Sequence, residues 1–307
     1  MSYSFLKESK LFIVYGGNRY RIHITSALSF SQTFAEDSYP VKTLHDQSKM
    51  FEGTTITKAN PASLSLEVPL TIEKDESIVL DLITDLVATS DSDIEEQQLK
   101  SFDMYVQTTN STFKTEGCVI TSADFAFNPR EQFKISIEGQ GTKLTRVGNE
   151  SYSIPGSAQP ESSTRTPLQV YPVVSIDSLD MNNIIGATIS IQNNIDWVPF
   201  ETLHDSLSVT NSSNAMFPSA YTVTNRIVSG AITQYQTDNN ITQFDDFSTN
   251  SNINISAKKL DGNTFWAIQI NPGMYSARMQ PNDVFTQSYD FRSTDNTALG
   301  TRITTYS

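Results

Sequence analysis

One short stretch occurs twice in this chain, and that repetition limits the fold more than any other feature of the sequence. Pro40-Val41-Lys42-Thr43-Leu44-His45-Asp46 is matched by Pro199-Phe200-Glu201-Thr202-Leu203-His204-Asp205. Each copy follows a segment of alternating apolar and polar residues, and each leads into an unusually long polar segment. A second pair lies further along. Phe127-Asn128-Pro129-Arg130-Glu131-Gln132-Phe133 resembles Met279-Gln280-Pro281-Asn282-Asp283-Val284-Phe285, with proline, acid and phenylalanine in step. The two offsets, 159 residues from 45 to 204 and 152 from 129 to 281, keep the same order along the chain. That pattern reads as an internal duplication. It predicts a first domain over 1–148, a Pro/Ser-rich connector over 149–178 and a second domain over 179–307.

Period-two alternation dominates the first half. Leu11 to Tyr15, then Gly16-Gly17-Asn18, then Tyr20, Ile22 and Ile24 predict a hairpin, with glycine supplying the positive φ of the turn. Leu28, Phe30 and Phe34 alternate with Ser29, Ser31 and Thr33. Residues 45–61 are expected to form a long polar loop. From Ser63 to Ile72 the alternation is nearly unbroken, with Leu64, Leu66, Val68, Leu70 and Ile72 on one side and Ser63, Ser65, Glu67 and Thr71 on the other. The period then changes. Val79, Leu82, Ile83, Leu86 and Val87 fall at helical spacing, which predicts a helix from about Asp75 to Ala88. Strands are expected again over 102–108, 117–127 and 132–138.

Pro155, Pro160, Pro167 and Pro172 mark the connector as an extended tether. The second half repeats the plan with weaker signals. Ile189 and Ile191 alternate with Thr188, Ser190 and Gln192, and a second polar segment covers 206–225. Strands are expected over 226–235, 253–259, 265–270 and 284–291. Ile241, Phe244 and Phe247, spaced by three, predict a short helix. The fold class is therefore mainly β, with both halves running strands, long loop, strand, helix, strands.

Composition removes several function classes. The net charge of −13 argues against a surface that grips nucleic acid through its phosphates. The single cysteine, Cys118, rules out an internal disulfide. No apolar run suits a signal peptide or a membrane span, so a protein made in a cytoplasm and staying soluble is expected. The acidic run Asp91, Asp93, Glu95, Glu96 lacks the spacing and the glycine of a calcium loop. No motif for a nucleotide, metal or activated nucleophile is present, so no catalytic residue, cofactor or metal is assigned. His45-Asp46 and His204-Asp205 suggest a His-Asp pair, but neither has a nucleophile to activate, and a repeated structural turn accounts for both. Trp197 and Trp266 could stack on sugar or could pack in a core.

The opening hairpin, the strand ending in Thr-Leu-His-Asp, the long loop after it, the helix from Asp75 and the recurrence of this layout after residue 178 together resemble the major tail tube proteins of long-tailed, non-contractile bacteriophages. The resemblance is to the kind whose tube domain is duplicated in one chain, and it implies two tandem β-sandwich or barrel-forming domains, each with one flanking helix. It implies three chains forming a pseudo-hexameric ring, rings stacked into a hollow tube, and a lumen that conducts DNA without binding it specifically. The implied partners are copies of the chain itself and the tape-measure, tail-tip and tail-terminator proteins, with no membrane involved. The implied location is the virion tail, assembled in the host cytoplasm. On this reading the polar strand faces would line the lumen: Ser29, Ser31, Ser63, Ser65, Glu67, Thr71, Ser136, Glu138, Thr188, Ser190, Gln192, Thr286, Ser288 and Asp290. The turns and loops carrying His45, Asp46, Met50, Phe51, His204, Asp205, Met216 and Phe217 would reach the adjoining ring. The competing class is a two-domain β-sandwich binding module or fibre adhesin that recognises glycan.

Overall fold

The computed structural model describes residues 8–23, 27–40, 52–84, 86–87, 98–128, 131–176, 181–198, 217–218, 220–238, 251–281, 283–293 and 303–305. Strand β1 (Lys10–Tyr15) turns back through Gly16 and Gly17, both at positive φ, into β2 (Asn18–Ile22), the hairpin expected from the sequence. Next come β3 (Leu28–Ser31), β4 (Phe34–Pro40), β5 (Glu52–Ala59) and β6 (Ala62–Pro69). Helix α1 (Ser77–Thr84) follows, then the short β7 (Leu86–Val87) and β8 (Gln98–Leu99), which pair with each other. Strands β9 (Phe102–Gln107), β10 (Thr112–Phe127), β11 (Lys134–Gly141) and β12 (Lys143–Gly148) complete the first half. The remainder runs β13 (Ser157–Ala158), β14 (Val170–Ile176), β15 (Ile184–Val198), β16 (Ala220–Tyr235), β17 (Ser251–Lys259), β18 (Thr264–Gln280), β19 (Thr286–Ser293) and β20 (Ile303–Thr305).

One long sheet crosses both halves in the order β3-β6-β11-β10-β15-β16-β19-β18. The junction is the antiparallel pair β10–β15, with Asp124 opposite Ser190 and Phe125 opposite Ile189. Strands β10 and β18 each serve two sheets. The first part of β10 lies between β9 and β12, and its second part lies between β11 and β15. The first part of β18 lies between β17 and β20, and its second part pairs with β19. Behind the long sheet, β13-β2-β1-β9 back the first half and β14-β17 the second. Alternate residues of the long sheet, including Leu66, Phe125, Ile135, Ile189, Ile232 and Tyr289, are buried with Leu11, Ile13, Met104, Ile253, Trp266 and Ile268 in one core. Removing that apolar area from water is the main force holding the layers together.

Several elements differ from their sequence expectation. The helix is shorter than 75–88, because Leu86 and Val87 leave the helical path to pair with β8. The long polar loop is partly a hairpin arm, in which β5 folds back on β4. The second polar segment likewise ends in strand, since β16 begins at Ala220 rather than Arg226. Ile72, expected on the apolar side, is 48% exposed, because the chain leaves β6 after Pro69. The helix expected around Phe244 lies outside the described residues.

The proline-rich connector is extended, but it is laid down on the first half rather than free. Ser157 and Gln159 donate backbone bonds to Gly17 and Arg19, and Asp75 and Glu73 accept from the amides of Ser162 and Thr166. Leu168 then enters between two strands: its amide donates to the Leu70 carbonyl and its carbonyl accepts from the Phe133 amide.

Candidate functional site

The sequence-predicted polar residues come together on one face of the long sheet, because directly opposed residues in an antiparallel ladder share a face. One row runs Ser29, Ser65, Glu138, Ser122 and Gln192 across five strands. The next runs Glu67, Ser136, Asp124, Ser190, Ser229 and Arg292. A third contains Ala126, Thr188, Ala231, Asp290 and Ser276, and Ser288 lies between Thr233 and Arg278. At one edge Ser31 and Ser63 join hydroxyl to hydroxyl at 2.8 Å. Two predicted members behave differently. Thr71 is buried and donates to the Glu76 carboxylate at 2.8 Å, and Thr286 is 7% exposed beside Tyr235 and Gln280.

Two cations of this face, Lys134 and Arg278, are paired with acids, and Arg292 stands at the end of the second row. Lys134 lies 3.2 Å from Glu67, and Arg278 lies 2.6 Å from Asp290. Both partners sit on neighbouring strands of the same face. Such exposed pairs contribute little to stability. Their electrostatic effect is to cancel a cation locally while Asp124 and Glu138 leave the face acidic. A groove of about 470 Å³ runs over this region, lined by polar residues such as Glu67, Asp124, Lys134 and Ser190 and by Phe125 and Ile189. Among the described residues no group of three histidine, cysteine or acidic side chains gathers as a metal site. Cys118 is buried, donates to the Thr115 carbonyl and has its thiol pKa pushed well up by that burial.

Of the predicted loop residues, His45, Asp46, Met50, Phe51, His204, Asp205 and Met216 lie outside the described residues. Phe217 is described, and the Lys143 ammonium sits 4.6 Å from its ring centroid, joining the second half to β12 of the first. Neither tryptophan is free to stack on sugar. Trp266 is fully buried against Phe125 at 4.8 Å, and Trp197 donates to Gln140 at 2.6 Å and packs edge-on to Tyr221.

Sequence reasoning missed a tie between the halves at Asn193 and Arg226. Asn193 donates to the Ile120 carbonyl and accepts from Arg226 Nε, while a second Arg226 nitrogen donates to the Ile83 carbonyl in the last turn of α1. A cation at a helix C-terminus opposes the negative end of the dipole. Nothing in the local sequence singles out an arginine whose partners lie 33 and 143 residues away.

The layout of two half-sheets joined edge to edge with a continuous polar face fits a structural subunit. A family model of bacteriophage baseplate tube proteins matches residues 1–301. The chain belongs to the bacteriophage baseplate tube protein family. It is also 24% identical over 207 residues to the baseplate tube protein of Escherichia phage T5, an alignment that covers 64% of this chain and 65% of that relative's length. Membership makes it a phage tail tube-type protein. The likeness to tail tube proteins that began with the repeated turn thus extends over nearly the whole chain as a baseplate tube protein.

Proposed function

We propose that this baseplate tube protein polymerises with itself, three chains closing into a pseudo-hexameric ring whose long sheets line a channel for DNA ejection. The observation that carries this reading is an unmatched strand edge. Each half has the same strand order, β3-β6-β11-β10 and then β15-β16-β19-β18, and in each the first, second, fourth and third strands in chain order stand side by side. The two halves even share a closing hydrogen bond: Leu70 donates to the Phe133 carbonyl at 2.9 Å, and Gln236 to the Phe285 carbonyl at 2.9 Å. Within the chain, the second part of β10 pairs with β15, the first strand of the following half. Among the described residues, the matching part of β18 has no strand on that side, and β3 pairs with β6 alone. Open edges of this kind invite pairing, and a β18–β3 contact between copies would repeat the β10–β15 contact and remove both edges.

Register follows from the same comparison. Aligning Phe133 with Phe285 sets β11 on β19, so that the ladder pairs Asp124–Ser136 and Ala126–Lys134 fall on Arg278–Ser288 and Gln280–Thr286; with His45 aligned to His204, the pairs Asp124–Ser190 and Ala126–Thr188 are carried onto Arg278–Ser31 and Gln280–Ser29. The polar face would then continue unbroken from copy to copy, as a hydrophilic wall with paired cations that does not retain a polyanion. The adjoining tape-measure, tail-tip and terminator proteins would meet the ring at its ends, within a tail assembled in the host cytoplasm. A Ser29→Cys, Gln280→Cys protein tests the edge. Directly opposed strand residues lie within disulfide range, so oxidation of assembled protein is expected to give a covalent three-chain product and electron microscopy to show rings or tubes. Monomers at high protein concentration under varied salt, with no intermolecular disulfide, would overturn the reading.

A further inference from the structure

The two hairpin tips at one end of the long sheet are equivalent in the repeat but not in their covering. At the β10–β11 tip, Phe127 and Phe133 are 1% and 2% exposed and their ring centroids lie 4.9 Å apart. Leu168, itself 1% exposed, lies beside them, and its carbonyl accepts the Phe133 amide at 2.8 Å. At the β18–β19 tip, where Phe285 corresponds to Phe133, large side chains stand in the open: Met279 is 37% exposed, Val284 54% and Phe285 50%. Among the described residues the Phe285 amide has no counterpart to the Leu168 carbonyl. Exposed large apolar groups around an amide that has no partner among the described residues have the features of a site that lacks its cover.

The repeat identifies that cover. Leu168 is delivered by the segment leading into β14, which pairs with β17 of the second half. In the first half β1 stands in the place of β14, since β1 pairs with β9 as β14 does with β17. The ladders can be aligned at a shared irregularity. Strands β9 and β10 slip between Thr115 and Cys118, opposite Met104 and Phe102, and strands β17 and β18 slip between Ile253 and Ser251, opposite Ile270 and Gly273. Met104 therefore corresponds to Ile253. Their partners on the neighbouring strand, Ile13 and Ile176, correspond in turn. Counting back from Ile176 to Leu168 and the same distance from Ile13 arrives at Phe5, in the segment Tyr3-Ser4-Phe5-Leu6. Within the chain, Leu168 leads into the half that follows and covers the half that precedes it. The half that follows β18 in this scheme belongs to another copy.

We infer that the N-terminal segment of one copy, anchored by Phe5, seats on the Met279–Val284–Phe285 tip of its neighbour and takes there the place that Leu168 has at Phe133. This rests on the ring reading above and adds to it a second, non-sheet contact across each subunit boundary. It also gives the exposed tip one occupant, the N-terminal segment of the next copy.

The test places a photoreactive benzoylphenylalanine at Phe5 of the full-length protein, in a mixture of isotopically heavy and light subunits allowed to assemble. Irradiation followed by peptide mapping is expected to join the residue 5 peptide to the peptide spanning 279–285, in heavy–light pairs. Phe285→Asp should reduce that yield at least tenfold while leaving the circular dichroism of the subunit unchanged, because Phe285 is already half exposed. Cross-links confined to a single chain, or to any other peptide, in a preparation where the Ser29–Gln280 disulfide still forms between copies, would overturn the inference and leave the ring intact. Loss of both the disulfide and the cross-link would overturn the two together.

Discussion

Gly230 lies in the second part of the long sheet, opposite Ile189 on one side and Phe291 on the other. A Cβ built there would lie 2.1 Å from the Thr188 carbonyl oxygen and 2.5 Å from the Phe291 ring. The ring could turn aside, but the carbonyl is backbone inside a ladder and cannot. Overpacking in a tight core costs about 1–3 kcal/mol, and a clash with fixed backbone belongs at the upper end, so Gly230→Ala is expected to destabilise by about 3 kcal/mol. For a chain of this size that is a fall in Tm of roughly 5 °C. Gly262 provides the internal reference. It has φ +85 and nothing within 4 Å of its built Cβ, so Gly262→Ala carries only the left-handed backbone penalty of about 1 kcal/mol. Urea unfolding of both variants, followed by circular dichroism, gives the comparison. If Gly230→Ala proved no more destabilising than Gly262→Ala, the close packing of β15, β16 and β19 described above would be wrong.

Three further outcomes are expected. Trp266→Ala removes a fully buried ring from beside Phe125 and Phe127 and should cost about 3–5 kcal/mol, most of it restored by Trp266→Phe, as measured by chemical denaturation. Glu67→Lys with Asp290→Lys replaces the acids that face Lys134 and Arg278, so tubes should still assemble but deliver DNA poorly in an ejection assay; unimpaired delivery would remove the polar face from the channel. His23 is held neutral, its pKa lowered to about 4 by burial and then by the Arg165 and Arg21 guanidiniums. Between about pH 4 and 6.5 the unfolded chain therefore binds the extra proton, so this contribution to stability is complete above the ordinary histidine value and lost as pH falls toward 4. Glu76, its pKa raised by burial, slopes the other way, so the measurement is the difference between wild type and His23→Gln, and an identical pH profile for the two would refute the assignment.

The sequence by itself determined what depends on local period and on repetition. The alternation of Ser63 to Val68 fixed which side chains of β6 are buried, because a strand sends successive residues to opposite faces whatever it pairs with. Gly16 and Gly17 marked the first hairpin because their φ values exclude most other residues. The two copies of Thr-Leu-His-Asp supplied the alignment from which the strand correspondence follows. The limits of local reading are equally specific. Ile72 continues the apolar alternation on paper, yet it is exposed because the chain has already left the sheet, and only the β6–β11 ladder, which stops at Pro69, reveals that. The polar stretch containing β5 resembled a loop because a two-stranded arm need not bury a face and so carries little apolar signal.

Tertiary structure alone decided how the halves relate. That β10 pairs with β15, that Arg226 reaches the end of α1, and that Leu168 covers one hairpin tip while the other stays open are all contacts between residues far apart in sequence. No local pattern encodes them, because hydrogen bonding between strand edges depends on backbone groups common to every residue type. The repeated turn with its histidine and aspartate offered two possible readings, a reactive pair or a structural mark. Its residues lie outside the described ones, and what the structure adds is that the order of strands around it is the same in both halves.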